Sequence, residues 1–168
     1  MGMVRECIEV AVPVRTAFDQ WTQFESFPRF LARVRAVDVT RPSLTRWAVR
    51  LGPVNHEFLA EIVEQQPDSH VRWRSLDRRL AHRGDVHFEE VGPSRCRVTV
   101  TMTLDAPPLL RRLSERVLRG WVRTALDHFA AYIEGLGDAG VSWRGAIRDG
   151  RVEDVVEEPP AYPGWPHG

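Results

Sequence analysis

The chain has 168 residues with 23 basic and 23 acidic side chains, so no net charge draws it toward nucleic acid or an anionic membrane. Every basic residue is arginine, which excludes lysine Schiff-base chemistry and a P-loop lysine. Cys7 and Cys96 are too few for a disulfide framework or a cysteine zinc site, no stretch approaches the ~18 apolar residues of a membrane span, and the N-terminus lacks a signal-peptide pattern. The expectation is a single cytoplasmic domain with a real core and a mobile or partly docked tail.

Val4 to Val12 alternates as a first strand, with Ile8, Val10 and Val12 on one side. Pro13 then opens a short helix carrying Val14, Ala17, Phe18 and Trp21, and a second short helix or turn carries Phe24, Phe27, Pro28 and Phe30. Six further alternating runs follow, over residues 33–40, 46–52, 56–65, 71–75, 82–90 and 96–104. They are punctuated by Gly52-Pro53, Gln66-Pro67-Asp68 and Gly92-Pro93, and Asp77-Arg78-Arg79 is predicted as another turn. Alternation of this kind predicts an antiparallel sheet with one wet face. By parity Cys96 belongs to the buried set and Cys7 does not, which argues against a bond between them.

Residues 107–136 form the longest helical pattern. Leu110, Leu113, Val117, Trp121, Ala125, Phe129 and Ile133 recur at three- and four-residue steps, flanked by Leu118, Val122 and Leu126, with arginines and carboxylates opposite. Pro107 and Pro108 suit its start, Gly135 and Gly137 its end. This helix is the expected cover for the dry face of the sheet. Residues 138–168 carry an acidic run and finish PPAYPGWPHG, which reads as a tail; Trp143, Ile147 and Trp165 are reasons for part of it to dock.

A curled sheet around a long helix can leave a gap. Strand parity and the helix stripe predict that Trp47, Phe58, Trp73, Phe88, Met102, Trp121 and Phe129 line it, an aromatic composition suited to a small hydrophobic ligand. The alternative is that these side chains fill the space completely. Thr124 and His128 are i,i+4 neighbours at the edge of the helix stripe, and Ser75 shares a face with Val71 and Trp73. His128 and Ser75 are therefore the candidate catalytic residues that move protons, with Thr124 as a further ligand contact. The histidines show no metal-ligand spacing, and neither a nucleophile elbow nor a dinucleotide loop is present. The arginine-rich pieces lie on predicted solvent faces among acids. No metal, cofactor or nucleic-acid partner is expected.

The segments PVRTAFDQWTQFESFPRFLARVRAV, WAVRLGP, VRWRS, GDVHFEEV and LDHFAAYIE, in this order, resemble the START-like (SRPBCC, helix-grip) superfamily. They are most similar to its polyketide cyclase/dehydrase branch, which includes coenzyme Q-binding START proteins. The resemblance covers roughly Val4 to Leu136. It implies an α+β fold in which a curved antiparallel sheet of about seven strands wraps a long C-terminal helix, with two short helices after the first strand, making 1–137 the domain and 138–168 the tail. It also implies a hydrophobic ligand held between helix and sheet. Polyketide cyclases guide aldol condensation and dehydration in such a cavity without a cofactor, whereas the quinone-binding relatives hold or deliver a lipid. A third possibility is an interaction module whose tail recruits a partner.

Overall fold

A computed structural model describes residues 2–51, 53–77, 81–105, 111–136 and 145–152. Strand β1 (Gly2–Val10) leads into helix α1 (Val14–Trp21) and a 3-10 helix (Phe24–Arg29). The meander β2 (Val34–Arg41), β3 (Leu44–Leu51), β4 (Val54–Gln66), β5 (His70–Ser75), β6 (His82–Gly92) and β7 (Arg95–Leu104) follows, then helix α2 (Arg111–Leu136). The short strands β8 (Ile147–Arg148) and β9 (Arg151–Val152) come last.

The main sheet runs β1-β7-β6-β5-β4-β3-β2, every pairing antiparallel. Strands adjacent in sequence are adjacent in space except β1 and β2, which form the two edges. The α1 and 3-10 segment therefore carries the chain across the sheet, and α2 lies against the same side. This is the START helix-grip fold.

The core follows the alternation. Val71, Val86, Val98, Val100 and Cys96 point inward and are buried, while Cys7 is exposed on the opposite parity. Burial alone, with no compensating charge, pushes the Cys96 thiol up to about 11, so it stays an uncharged apolar filler. Phe18, Trp21, Phe88 and Phe129 pack edge to face: Phe18–Phe88 centroids lie 5.4 Å apart and Trp21–Phe129 4.9 Å apart. Phe88 and Phe129, expected to line a gap, are thus in the solid part of the core; α1 lies over this end of β6 and β7 and fills it.

Helix α2 is rotated relative to the stripe expected from the sequence. Leu118, Val122, Leu126, Phe129, Ala130 and Ile133 are buried, whereas Val117 is 42% and Trp121 38% exposed. The flank became the centre because α2 lies along the free edge of β1. Arg119 and Arg123 reach Glu6, Arg123 donates to the Cys7 carbonyl at 3.0 Å, and the Ala11 N–H donates to Glu134 at 3.0 Å. These contacts satisfy exposed edge groups and block strand addition there. Leu110 and the side chain of Leu113 lie outside the described residues.

At the C-terminal end, β8 pairs with β4 at Glu64 and Gln65, beyond the reach of β3. Ala146 and Ile147 are buried there, so this part of the tail rests on the domain. Trp143 and Trp165 lie outside the described residues.

Candidate ligand site on the concave face

The register sets side chains on the helix side of the sheet into rows. One row runs Ile62–Trp73–Gly84–Met102–Val4, another Thr45–Ala60–Ser75, and a third Val37–Trp47–Phe58. His82 stands opposite Leu104. Where α1 covers the sheet the inward side chains are buried, but Trp47, Phe58, Trp73, Met102, Leu104 and His82 are only half-buried although they face inward. The concave face is therefore filled at one end and open at the other.

The walls of the open end are ordered by specific contacts. Trp47 and Phe58 are parallel with centroids 6.2 Å apart, and Phe27 meets Trp47 at 5.3 Å. The Trp47 indole N–H donates to Thr45 Oγ1 at 2.8 Å, and the Thr45 hydroxyl donates to the Ala60 carbonyl at 3.1 Å. That chain removes the polar cost of burying the indole nitrogen. The Trp73 ring lies against Gly84, where a Cβ would come within 2.4 Å of ring carbon Cζ2. Only glycine leaves the indole in that position.

Polar groups sit at the same end. His56 faces the Phe58 ring (6.1 Å, 28°), and His82 meets Phe58 edge-on at 5.1 Å. Asp77 Oδ2 lies 2.8 Å from His56 Nε2, yet Nε2 is buried without a hydrogen bond, so the carboxylate is close but off the N–H direction. Ser75 Oγ accepts from the His82 N–H at 3.0 Å. The contact of His56 with Asp77 joins β4 to the end of β5 and carries no local signal in the sequence.

The predicted Thr124–His128 pair is placed differently from expectation. Both side chains are exposed, because the rotation of α2 turns them from the core toward residues 30–33. His128 Nδ1–H donates to the Phe30 carbonyl at 2.9 Å, and Arg33 lies 4.8 Å over the Trp121 ring. Phe30 also packs on Tyr132 and Phe129. This side of α2 thus holds the segment leading into β2 and closes the grip, rather than presenting a proton-transfer pair to the open end. Ser75 does face the open end, beside Ala60 and His82.

Two shallow hollows, of ≈ 360 and ≈ 390 Å³, adjoin these walls. Arg46, Glu57, Phe58 and Asp77 line one, and Arg72, Trp73, Arg83 and Gly84 the other, so each sets charged side chains beside an aromatic one. Among the described residues, no group of three or more His, Cys, Asp or Glu could hold a metal ion, and no helix is long and apolar enough to cross a membrane.

The profile of the family described as "Polyketide cyclase / dehydrase and lipid transport" matches residues 10–130. An uncharacterised 17.2 kDa protein of Streptomyces lincolnensis is 34% identical over 149 residues, 88% of this chain and 99% of that protein. Among solved structures, a START superfamily protein of Mycobacterium smegmatis superposes with a TM-score of 0.75 at 14% identity, covering 82% of this chain and 100% of that one. The Zhui aromatase/cyclase of Streptomyces sp. R1128 gives a TM-score of 0.69 at 12% identity, covering 83% and 98%. At such identities the structural matches speak for the fold. The profile match and the 34% relative establish more: this chain is a member of the polyketide cyclase/dehydrase and lipid-transport family.

Proposed function

We propose that the protein binds a hydrophobic small molecule, aromatic or polyketide-like, in the open end of the concave face. The observation that carries this reading is the set of inward-facing Trp47, Phe58, Trp73 and Met102, left half-buried beside a fully packed core. Apolar side chains that face inward yet keep contact with water gain on covering, at about 25 cal/mol per Å². Phe88 and Phe129 support the site from beneath in this reading, whereas Trp121 and Thr124 lie on the exposed side of α2. His128 acts as a positioning residue through Phe30. Ser75 is the hydroxyl offered to the ligand, with His82 and His56 nearby.

Cyclase/dehydrase chemistry is the finer reading, because imidazole and hydroxyl groups share this end with the aromatic wall. A lipid or quinone carrier would need the aromatic wall alone; lipid transport is the other activity in the family's description. The test begins with native mass spectrometry of freshly purified protein and organic extraction of any bound compound. A hydroxylated anthraquinone, a fused-ring polyketide-type probe, is then titrated while tryptophan fluorescence is followed. Saturable binding to one site, weakened at least ~10-fold by Trp73→Ala, is expected. Absence of saturable binding, or binding indifferent to Trp73, would exclude this site.

A further inference from the structure

His56 presents an unusual combination. Its side chain is 20% exposed, its Nε2 is fully buried, and no acceptor among the described residues lies along that N–H. Asp77, 2.8 Å away, is the nearest candidate, but it is off-axis and has other interactions of its own. A buried donor left without an aligned acceptor costs free energy, and protein interiors rarely keep one without a use. Here it stands at the aromatic wall: His56 faces Phe58, which in turn contacts Trp47 and His82. Nε2 is closed to water in the free protein, so an acceptor atom of a ligand lying on Phe58 completes the missing bond once the His56 ring turns off Asp77 toward it.

We propose that His56 is the polar anchor of the site, its Nε2–H donating to a carbonyl or phenolic oxygen at one end of an otherwise apolar ligand. The site then selects oxygenated aromatic molecules over hydrocarbons of the same shape. Asp77, 2.8 Å from Nε2, marks the resting position of the ring in the free protein. Selectivity arises because a buried polar group penalises any ligand that cannot pair with it. This inference rests on the proposal that the open end binds a hydrophobic small molecule, and it adds the chemical class of that molecule.

The experiment compares two probes of equal shape, a hydroxylated anthraquinone and anthracene, on the full chain and on His56→Phe and His56→Gln. Phenylalanine keeps the aromatic surface and removes the donor, whereas glutamine retains an N–H. We expect His56→Phe to weaken anthraquinone binding about 10-fold, the usual scale for a lost buried hydrogen bond, and to leave anthracene within about 2-fold. His56→Gln recovers part of the loss. Equal losses for both probes would mean that His56 only supports the fold, and no loss for either would mean that it touches no ligand; each overturns the anchor. If the wild-type chain binds neither probe, the binding reading itself fails and the anchor with it. If it binds both but His56→Phe changes nothing, the anchor fails alone.

Discussion

Glu64, which faces outward from β4, is held by His70 and Arg72. With its hydrogen on Nε2, the His70 ring donates to Glu64 Oε1 at 2.5 Å and accepts the Ser69 hydroxyl at Nδ1, 2.8 Å away. This assignment of the ring hydrogen satisfies both contacts at once. Arg72 Nη1 adds a 3.5 Å contact to Oε2. The hydrogen bond from His70 holds the Glu64 carboxyl below its ordinary 4.5; burial opposes the shift, and nearby positive charge, Arg72 and Arg148 included, reinforces it. A carboxyl depressed in the folded state contributes stability that is present above its unfolded pKa and is lost as pH falls through the folded one. Glu64→Gln is therefore predicted to lower the melting temperature at neutral pH, and the gap from wild type closes in the acid range below 4.5. The side chain is 35% exposed, so solvent screening limits the effect to roughly 1 kcal/mol or less. Thermal melts at about pH 7 and about pH 3 decide it. A gap that persists unchanged in acid would assign the loss to packing instead of charge.

At the scale of elements, the short strand β8 illustrates what local pattern cannot carry. Its two residues finish the β4 edge where a bulge at Val63 lets the strand change partner from β3 to β8. Gly150, at φ +73 against the Glu61 carboxylate, turns the chain back, and its N–H donates to the Val63 carbonyl at 2.8 Å. Ile147 is 1% exposed, so Ile147→Ala is predicted to cost about 2–5 kcal/mol, read from urea unfolding. Ligand affinity should hold within about 2-fold, because Phe58 lies roughly 20 Å away along β4 at ~3.3 Å per residue. A comparable drop in affinity would tie the tail to the site. The seven long strands were legible because one wet face imposes a period of two on the chain. The rotation of α2 was not: Val117 and Trp121 are as apolar as Leu118 and Val122, and Glu6, Cys7 and Ala11, more than a hundred residues earlier, fix the choice. The aromatic wall was legible by parity at Trp47, Phe58, Trp73 and Met102. The contact between His56 and Asp77 depends on two strands meeting, and no spacing rule reaches that far.

For the whole molecule, the division into a filled and an open end separates stability from binding. Phe129 is fully buried against Trp21 and Phe30, and its removal leaves a cavity that the helix and sheet cannot collapse into. Phe58 is itself half-buried and meets the half-buried rings of Trp47, His56 and His82, so part of the space it leaves is already reached by water. Phe129→Ala is accordingly predicted to cost about 3–5 kcal/mol, and Phe58→Ala roughly half of that. Affinity for the anthraquinone probe should order the other way: down about 10-fold for Phe58→Ala, and within about 3-fold of wild type for molecules of Phe129→Ala that remain folded. Ligand binding to the native state alone adds stability that grows with concentration, about 2.7 kcal/mol at a hundred times Kd. Melts at rising probe concentration therefore read both quantities from one preparation: the intercept reports the core and the slope reports the site. The two ends are independent if Phe129→Ala moves only the intercept and Phe58→Ala mainly the slope. If both variants move both quantities in proportion, the concave face is a single packed body and the open end is not a separate receptor.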